Sequence, residues 1–488
     1  MVEQGRAVDT VPVLIGGEFR VSSGGQTIDA TNPANGELLA RIPRCNAVDV
    51  DAAVAAAHAA FPAWRATPAA ERGRLLVELA SAIVQRKEEF AQLDADDNGS
   101  PIRGLRIDVE IGAAELRYFA GLALQVRGET IPTSFGRLNY TLREPFGVVG
   151  RIIPFNHPLL FATMKIGAPL VTGNTLVIKP SEHTSLSALR LAEEFQRIFP
   201  PGVINVVTGY GSEAGDALVA HPLVRRLAFI GLADTGRRIM ARAADVAIKT
   251  ITLECGGKNP IVVLRDADVD LAVDGALQGM NLNFQGQSCG STSRLLVHEA
   301  LHSDFVERLA GRLEGIRIGL PTAEETQMGP MINRSQLEKV QSYVQLGRDD
   351  GFQLVTGGTQ PETPELANGF FIRPALFDGV SPGSRLEQEE IFGPVLVVMP
   401  FRDYDEALQI TNQIPLGLTA SIFTRDLELA HSFARDVEAG YVWVNDSGPH
   451  FLGTPFGGYK DSGLGREEDS EELLSYTQTK NVNVRFHQ

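Results

Sequence analysis

The chain has 488 residues, 43% of them apolar, with 44 basic and 60 acidic side chains and a net charge of −16. That length predicts two or three domains with substantial cores, and the apolar fraction excludes wholesale disorder. The scattered acids leave no basic stripe for a nucleic acid, no apolar run approaches the ~20 residues of a membrane span, and three cysteines cannot build a disulfide framework. Met1 to Thr10 is polar and mixed in charge, so no leader is expected and the chain reads as a soluble cytoplasmic protein.

In chain order, Asp51 to Asp97 is rich in Ala and Glu and predicts helix. Gln125 to Pro145 predicts a β-hairpin, with Gly128 and Ser134 to Gly136 as turns and Leu138 to Leu142 as a strand. From Gly147 to Cys255 strand and helix alternate. Strands are expected at 147–153, 174–179, 203–207, 226–230 and 247–253. The intervening helices fall at 158–171, 185–199, near 214–219 and from about Asp234. Strands this apolar are buried on both faces, as in a parallel sheet flanked by helices. A second alternation runs from Asn259 to Asn445, with strands at 260–264, 294–297, 394–399, 420–423 and 440–445 and helices such as 302–313 and 334–347. The tail 474–486 is extended. With the hairpin it forms an edge that invites pairing, with another subunit or with this chain's own surface.

Two stretches carry chemistry. Cys289 lies in the small, polar, glycine-rich run Phe284 to Arg294. Glu254 ends an apolar strand beside Gly256 and Gly257. A thiol in such a loop and a carboxylate at a strand end suit a nucleophile and a base working through a thioester. Cys45 and Cys255 read as small buried hydrophobes. For a cofactor, Gly231 to Gly236 links a strand to a helix whose N-terminus favours phosphate, without the usual three-glycine fingerprint. Lys179 to Glu182 stands at the C-terminal end of a strand, where open α/β sheets bind ligands; the acid would hold a ribose and repel a 2′-phosphate, favouring NAD over NADP. A surface ion pair accounts for these last two residues equally well.

Taken together, the chain resembles the aldehyde dehydrogenase superfamily along nearly its whole length. The resemblance rests on an ordered set of strings: 154–158 (PFNHP), 173–182 (GNTLVIKPSE), 201–209 (PGVINVVTG), 253–258 (LECGGK), 286–289 (GQSC), 389–394 (EEIFGP) and 455–460 (PFGGYK). It implies an α/β fold with a Rossmann-type NAD-binding domain from residues 1–123 and 146–256. A second α/β catalytic domain would span 257–460, with a small β oligomerisation arm from 124–145 and 472–488. It implies that Cys289 attacks the aldehyde carbon, that Asn156 and the Cys289 N–H hold the oxyanion, and that Glu254 activates the water that releases the acid. Lys179 and Glu182 would hold the adenosine ribose, with Ser181 among the cofactor-binding residues, and Glu390, with Phe392, the nicotinamide ribose. Ile153, Pro154, Phe155, Gly211, Gly215, Phe229, Gly231, Leu232 and Gly236 would complete the cofactor site. No metal is implied, and a homodimer or homotetramer is. The presence of Glu254 argues for hydrolytic chemistry over release of the acyl group to CoA.

Departures from the family pattern mark the places to examine. Ile230 and Leu232 replace a common pair of hydroxyl residues near the pyrophosphate, and Cys255 replaces a common Leu. Positions lining the family's substrate tunnel are here His157, Met164, His450 and Phe456. Two imidazoles there point to a polar or anionic aldehyde, a semialdehyde or a hydroxylated aromatic aldehyde.

Overall fold

The computed structural model describes residues 10–486. The expected alternation is present as two large sheets. The first runs, in spatial order, Glu18–Arg20, Val13–Ile15, Ile204–Val206, Thr175–Lys179, Val148–Ile152, Val224–Gly231, Thr250–Cys255, Gly463–Leu464. Its five inner strands, from Ile204–Val206 to Thr250–Cys255, are mutually parallel, and antiparallel strands are added at both edges. The chain leaves Val148–Ile152 toward one edge and then returns to build the other half beginning at Val224–Gly231. The crevice between the ends of these two neighbouring strands is therefore the switch point at which such sheets bind ligands.

The second sheet is ordered Gln353–Thr356, Ala375–Asp378, Val395–Phe401, Arg294–His298, Pro260–Val263, Thr419–Phe423, Tyr441–Val444. All of its pairings are parallel except that of Gln353–Thr356. Thr175–Lys179 and Pro260–Val263 are buried at every position, as their unbroken apolar runs anticipated. Deleting a large aliphatic side chain from such a strand costs about 2–5 kcal/mol, so the strand ends are rigid mounts for the loops they carry. No helix among the described residues is long and apolar enough to cross a membrane.

Several features differ from expectation, including the unanticipated strands Gln353–Thr356 and Ala375–Asp378, and one alternative left open by the sequence is resolved. The helix expected over 158–171 is two, Pro158–Met164 and Gly167–Val171. Pro169 has no N–H to continue the ladder, so the chain turns at Lys165 and delivers that side chain inward. The Asp51–Asp97 region is three helices, beginning at Ala47 behind a capping box of Asn46 and Asp49, and a fourth, Ile102–Gly121, follows. Two short N-terminal hairpins, within 13–20 and 27–43, were not anticipated. The tail strand Thr477–Arg485 pairs with this chain's own Arg137–Pro145 along nine positions, with Thr130–Ile131 on the other side of that strand. The segment just before the tail returns to the first sheet, through Gly463–Leu464.

Candidate active site

The three residues expected to be catalytic, 156, 254 and 289, meet in one cleft. It has a volume of about 120 Å3 and is lined by Pro154, Phe155, Asn156, Ile230, Gly231, Leu232, Glu254, Gly256, Cys289, Gln336, Lys339, Glu390 and Phe392. Two strand ends of the switch point, Ile152 and Ile230, thus feed directly into it. Cys289 is partly exposed and follows a contorted stretch in which Asn281, Gln285 and Gly286 are left-handed. At Gly286 a Cβ would lie 2.7 Å from the Gly393 carbonyl oxygen, so only glycine fits. The loop is clamped from below by Asn259. Its Nδ2 donates to the carbonyls of Cys289 (2.7 Å) and Ser291 (3.0 Å), while its Oδ1 accepts from the Thr419 N–H (3.0 Å). Asn98 does the same for the facing loop, donating to the Phe155 carbonyl at 2.7 Å. Asn156 is buried with its Oδ1 unpartnered. Sequence reasoning missed Asn259 and Asn98, since a lone asparagine carries no local sign of which carbonyl it will meet.

Electrostatics around the thiol are dominated by acids. Glu254 is buried, its Oε2 lies 3.6 Å from Lys165 Nζ, and its Oε1 has no partner. Lys165 also meets Glu467 at 2.9 Å and Glu468 at 3.1 Å, and Glu467 receives two bonds from Arg151 at 2.6 and 2.7 Å. Burial pushes the Glu254 carboxyl well above the usual range, Glu467 adds to this, and Lys165 and Arg151 oppose it. Burial also pushes at Glu467, but there the Arg151 and Lys165 cations outweigh it and hold the carboxyl well below the usual range. The Cys289 thiol is pushed up to about 12 by burial and by Glu254, Glu390 and Glu468, with Lys165 opposing. It therefore rests protonated and needs a base or an arriving cation to become a nucleophile. Lys165, Arg151, Glu467 and Glu468 were also missed; Arg151 lies 316 positions from Glu467 and Lys165 303 from Glu468, and only the fold joins them.

On the cofactor side, the cradle extends along the strand ends. Lys179 is buried and its Nζ donates to the Pro180 carbonyl (3.1 Å) and to Glu182 (3.2 Å). Gly215 sits beside it, with Lys179 Cδ 3.9 Å from where a Cβ would be, and Gly211–Gly215 forms a wide helical turn leading into Asp216–Ala220. Ile153 is tied to this edge by its N–H to the Lys179 carbonyl at 3.1 Å. Ser181 instead accepts from the His183 N–H at 3.3 Å. Gly231 is required because the Phe229 ring folds back to 2.4 Å from its Cβ position. Cys255 is buried with its sulfur 3.2 Å from the Cβ position of Gly236, which fits inert packing. Glu390 accepts from the Gly257 N–H at 3.2 Å, and a Cβ on Gly256 would lie 2.1 Å from that carboxylate. Burial pushes Glu390 up to about 7 against Lys339, the Gly257 N–H and Lys258. Phe392, at φ 58°, is held by Gln336 Nε2, which donates to the Ile391 and Phe392 carbonyls at 3.0 and 2.8 Å. Lys339 donates to the Glu390 carbonyl at 3.1 Å.

The four expected substrate residues lie outside the cleft lining. His157 Nδ1 is 2.8 Å from Asp108, and its ring packs 4.0 Å from that of Phe284, on the Cys289 side. His450 Nδ1 is 3.5 Å from Glu468, and its ring lies 4.5 Å from Phe456 and stacks on Tyr441 at 5.4 Å. Met164 and Phe456 are buried. Both imidazoles thus face a carboxylate.

A model of the aldehyde dehydrogenase family matches residues 19–482. The aldehyde dehydrogenase tropH of Talaromyces stipitatus is 42% identical over 466 residues, 94% of this chain and 90% of the relative. DhaS of Bacillus subtilis is 43% identical over 481 residues, 98% of this chain and 96% of the relative. Among solved structures, PnpE from Pseudomonas sp. WBC-3, also determined in complex with nicotinamide adenine dinucleotide, is 43% identical with a TM-score of 0.96, covering 98% of each chain. The chain belongs to the aldehyde dehydrogenase family.

Proposed function

We propose that this aldehyde dehydrogenase oxidises an uncharged, hydroxylated aromatic aldehyde to its carboxylic acid with NAD, through a thioester on Cys289. The observation that carries the reading is the meeting of Cys289, Glu254, Asn156 and Glu390 in one cleft at the switch point. The residues present suit the dinucleotide. Gly231 and Gly256 leave room for the Phe229 ring and the Glu390 carboxylate beside the cleft, Lys179 and Glu182 stand at the strand end for one ribose, and Glu390 faces the cleft for the other. Glu182 disfavours a 2′-phosphate, and Leu232 leaves phosphate contacts to the backbone. When bound, NAD supplies the hydride acceptor.

The Cys289 thiolate adds to the aldehyde carbon. The Asn156 amide and the Cys289 N–H donate to the resulting oxyanion, each such donor being worth about 3–4 kcal/mol in the transition state. After oxidation, the Glu254 carboxylate accepts a proton from water as it attacks the thioester, and the acid leaves. Glu254 suits that task, since its raised proton affinity makes it a stronger base than an exposed carboxylate, and Lys165 keeps an ionised fraction. A cation entering the cleft would ease ionisation of both Cys289 and Glu254.

Of the two substrate classes read from the sequence, the aromatic one is favoured. His157 and His450 each face a carboxylate of this chain already, so neither is free to pair with the anionic end of a carboxylated semialdehyde. Rings of Tyr441, Phe456 and Phe284 stand ready to pack an aromatic body. Comparing kcat/KM for a hydroxybenzaldehyde, a carboxylated semialdehyde and an alkyl aldehyde tests this; preference for the semialdehyde overturns it. The exposed Ile131, Leu138, Leu142 and Phe486 support assembly of a homodimer or homotetramer through the three-stranded sheet, which light scattering would measure. A reactive thiol fits the reducing cytoplasm.

A further inference from the structure

A second, smaller cavity lies between the Cys289 loop and the Glu390 loop. Its volume is about 10 Å3, room for one water, and its lining includes Lys258, Gly286, Ser288, Ser291, Glu390 and Phe392. Lys258 is only 2% exposed and its Nζ has no hydrogen-bond partner, an unusual condition for an amine at the heart of a protein. The side chains that face it are Arg294, Glu387, Glu390 and Lys339. Arg294 and Glu387 are themselves fully buried and paired at 2.5 Å, and Arg294 Nη2 donates to the Ile410 carbonyl at 2.6 Å, but neither residue lines this cavity. Lys339 is turned to the backbone carbonyl of Glu390. The Glu390 carboxylate, which has only the Gly257 N–H, is the one acid on the cavity wall left for Lys258.

We propose that Lys258 is a positioning residue, its ammonium group acting across this cavity to keep Glu390 ionised and aimed as a ribose acceptor. The inference rests on the assignment of Glu390 to the nicotinamide ribose. Proton affinities agree with it. Glu390 is raised to about 7 by burial, with Lys258 among the groups opposing the rise, and Lys258 is lowered to about 7 by burial and by Arg294. Near neutrality the two groups therefore share protons, and the amine's charge favours the carboxylate form. Lys258 reaches the reacting atoms only through Glu390, and its loss should be felt in cofactor binding.

The test compares Lys258→Met, Glu390→Gln and the double variant in the full-length enzyme. For each, the KM for NAD, the kcat and the pH profile of kcat/KM for NAD are measured, along with cofactor-free hydrolysis of p-nitrophenyl acetate, which draws on Cys289, Asn156 and Glu254 but not on Glu390. Lys258→Met should raise the KM for NAD about tenfold and move the acid limb of the profile up by about one unit, a tenfold loss of ionised Glu390 at a given pH. Ester hydrolysis should keep its wild-type rate, and the double variant should be no worse than Glu390→Gln alone. An unchanged KM for NAD in Lys258→Met, with Glu390→Gln impaired, overturns the role of Lys258 while leaving Glu390 in place. A wild-type KM in Glu390→Gln overturns the ribose assignment and this inference with it. Additive losses in the double variant, or equal loss of ester hydrolysis, show a merely structural lysine and also overturn it.

Discussion

Replacing Glu254 with Gln keeps the side-chain volume and removes one charge from the crowded acidic face behind Cys289. Lys165 loses a neighbour at 3.6 Å but keeps Glu467 at 2.9 Å and Glu468 at 3.1 Å, so no bare cation is left and the fold should hold. Two effects of opposite sign follow. Without its base, thioester hydrolysis should slow by about 10²–10⁴-fold, the usual contribution of general base catalysis. Without its negative neighbour, the thiol should ionise more easily. A nearby charge moves a pKa by about 1–3 units, so Cys289 should fall by that much from about 12 and stay above an ordinary thiol, because burial is the larger cause. Rapid mixing with aldehyde and NAD should then give a full burst of one NADH per active site followed by slow turnover, and alkylation by iodoacetamide should begin at lower pH than in wild type. In the wild-type enzyme the deacylation rate should fall as pH drops through the raised Glu254 pKa, since only the carboxylate accepts the water proton; in the variant that dependence should vanish. Wild-type steady turnover in Glu254→Gln would refute the role of Glu254, and absence of a burst would show that it is needed before the thioester forms.

Other consequences are as specific. Asn156→Ala should lower kcat by about 10²–10³-fold with a smaller change in the KM for aldehyde, as expected for an oxyanion donor. Glu182→Ser should shift the NADP to NAD preference by about tenfold toward NADP, the equivalent of ~1.4 kcal/mol of relieved repulsion; an unchanged ratio would remove Glu182 from the ribose site. Glu467→Gln breaks a fully buried pair with Arg151 and should cost about 3–5 kcal/mol in urea denaturation at pH 7. Because Glu467 is held below its unfolded value, its contribution is present at neutral pH and is lost as pH falls, so the gap between variant and wild type should narrow in acid.

Much of the scaffold was legible because its strands are buried on both faces. Runs such as Val148–Ile152 and Pro260–Val263 admit no other reading. Cys289 and Glu254 stood out for a related reason, a thiol standing among small residues and a carboxylate at a strand end. What escaped notice depends on distance in the chain. Arg151, Lys165 and Glu467 look like ordinary surface charges until the turn at Lys165 and the returning segment after Gly463 bring them together. The tail and the strand around Leu138 to Leu142 were both legible as strands, whereas their pairing with each other was not, since period-two patterning gives a face and never a neighbour. The histidines could be read by position but not by partner, because Asp108 and Glu468 belong to other parts of the chain.

The central claim is that the substrate carbon becomes bonded to Cys289. Glu254→Gln enzyme mixed with NAD and a hydroxybenzaldehyde, quenched in acid within the burst and digested, should yield a peptide containing Cys289 heavier by one acyl group. An unmodified Cys289 peptide, or the acyl group on Cys45 or Cys255 instead, would contradict the account.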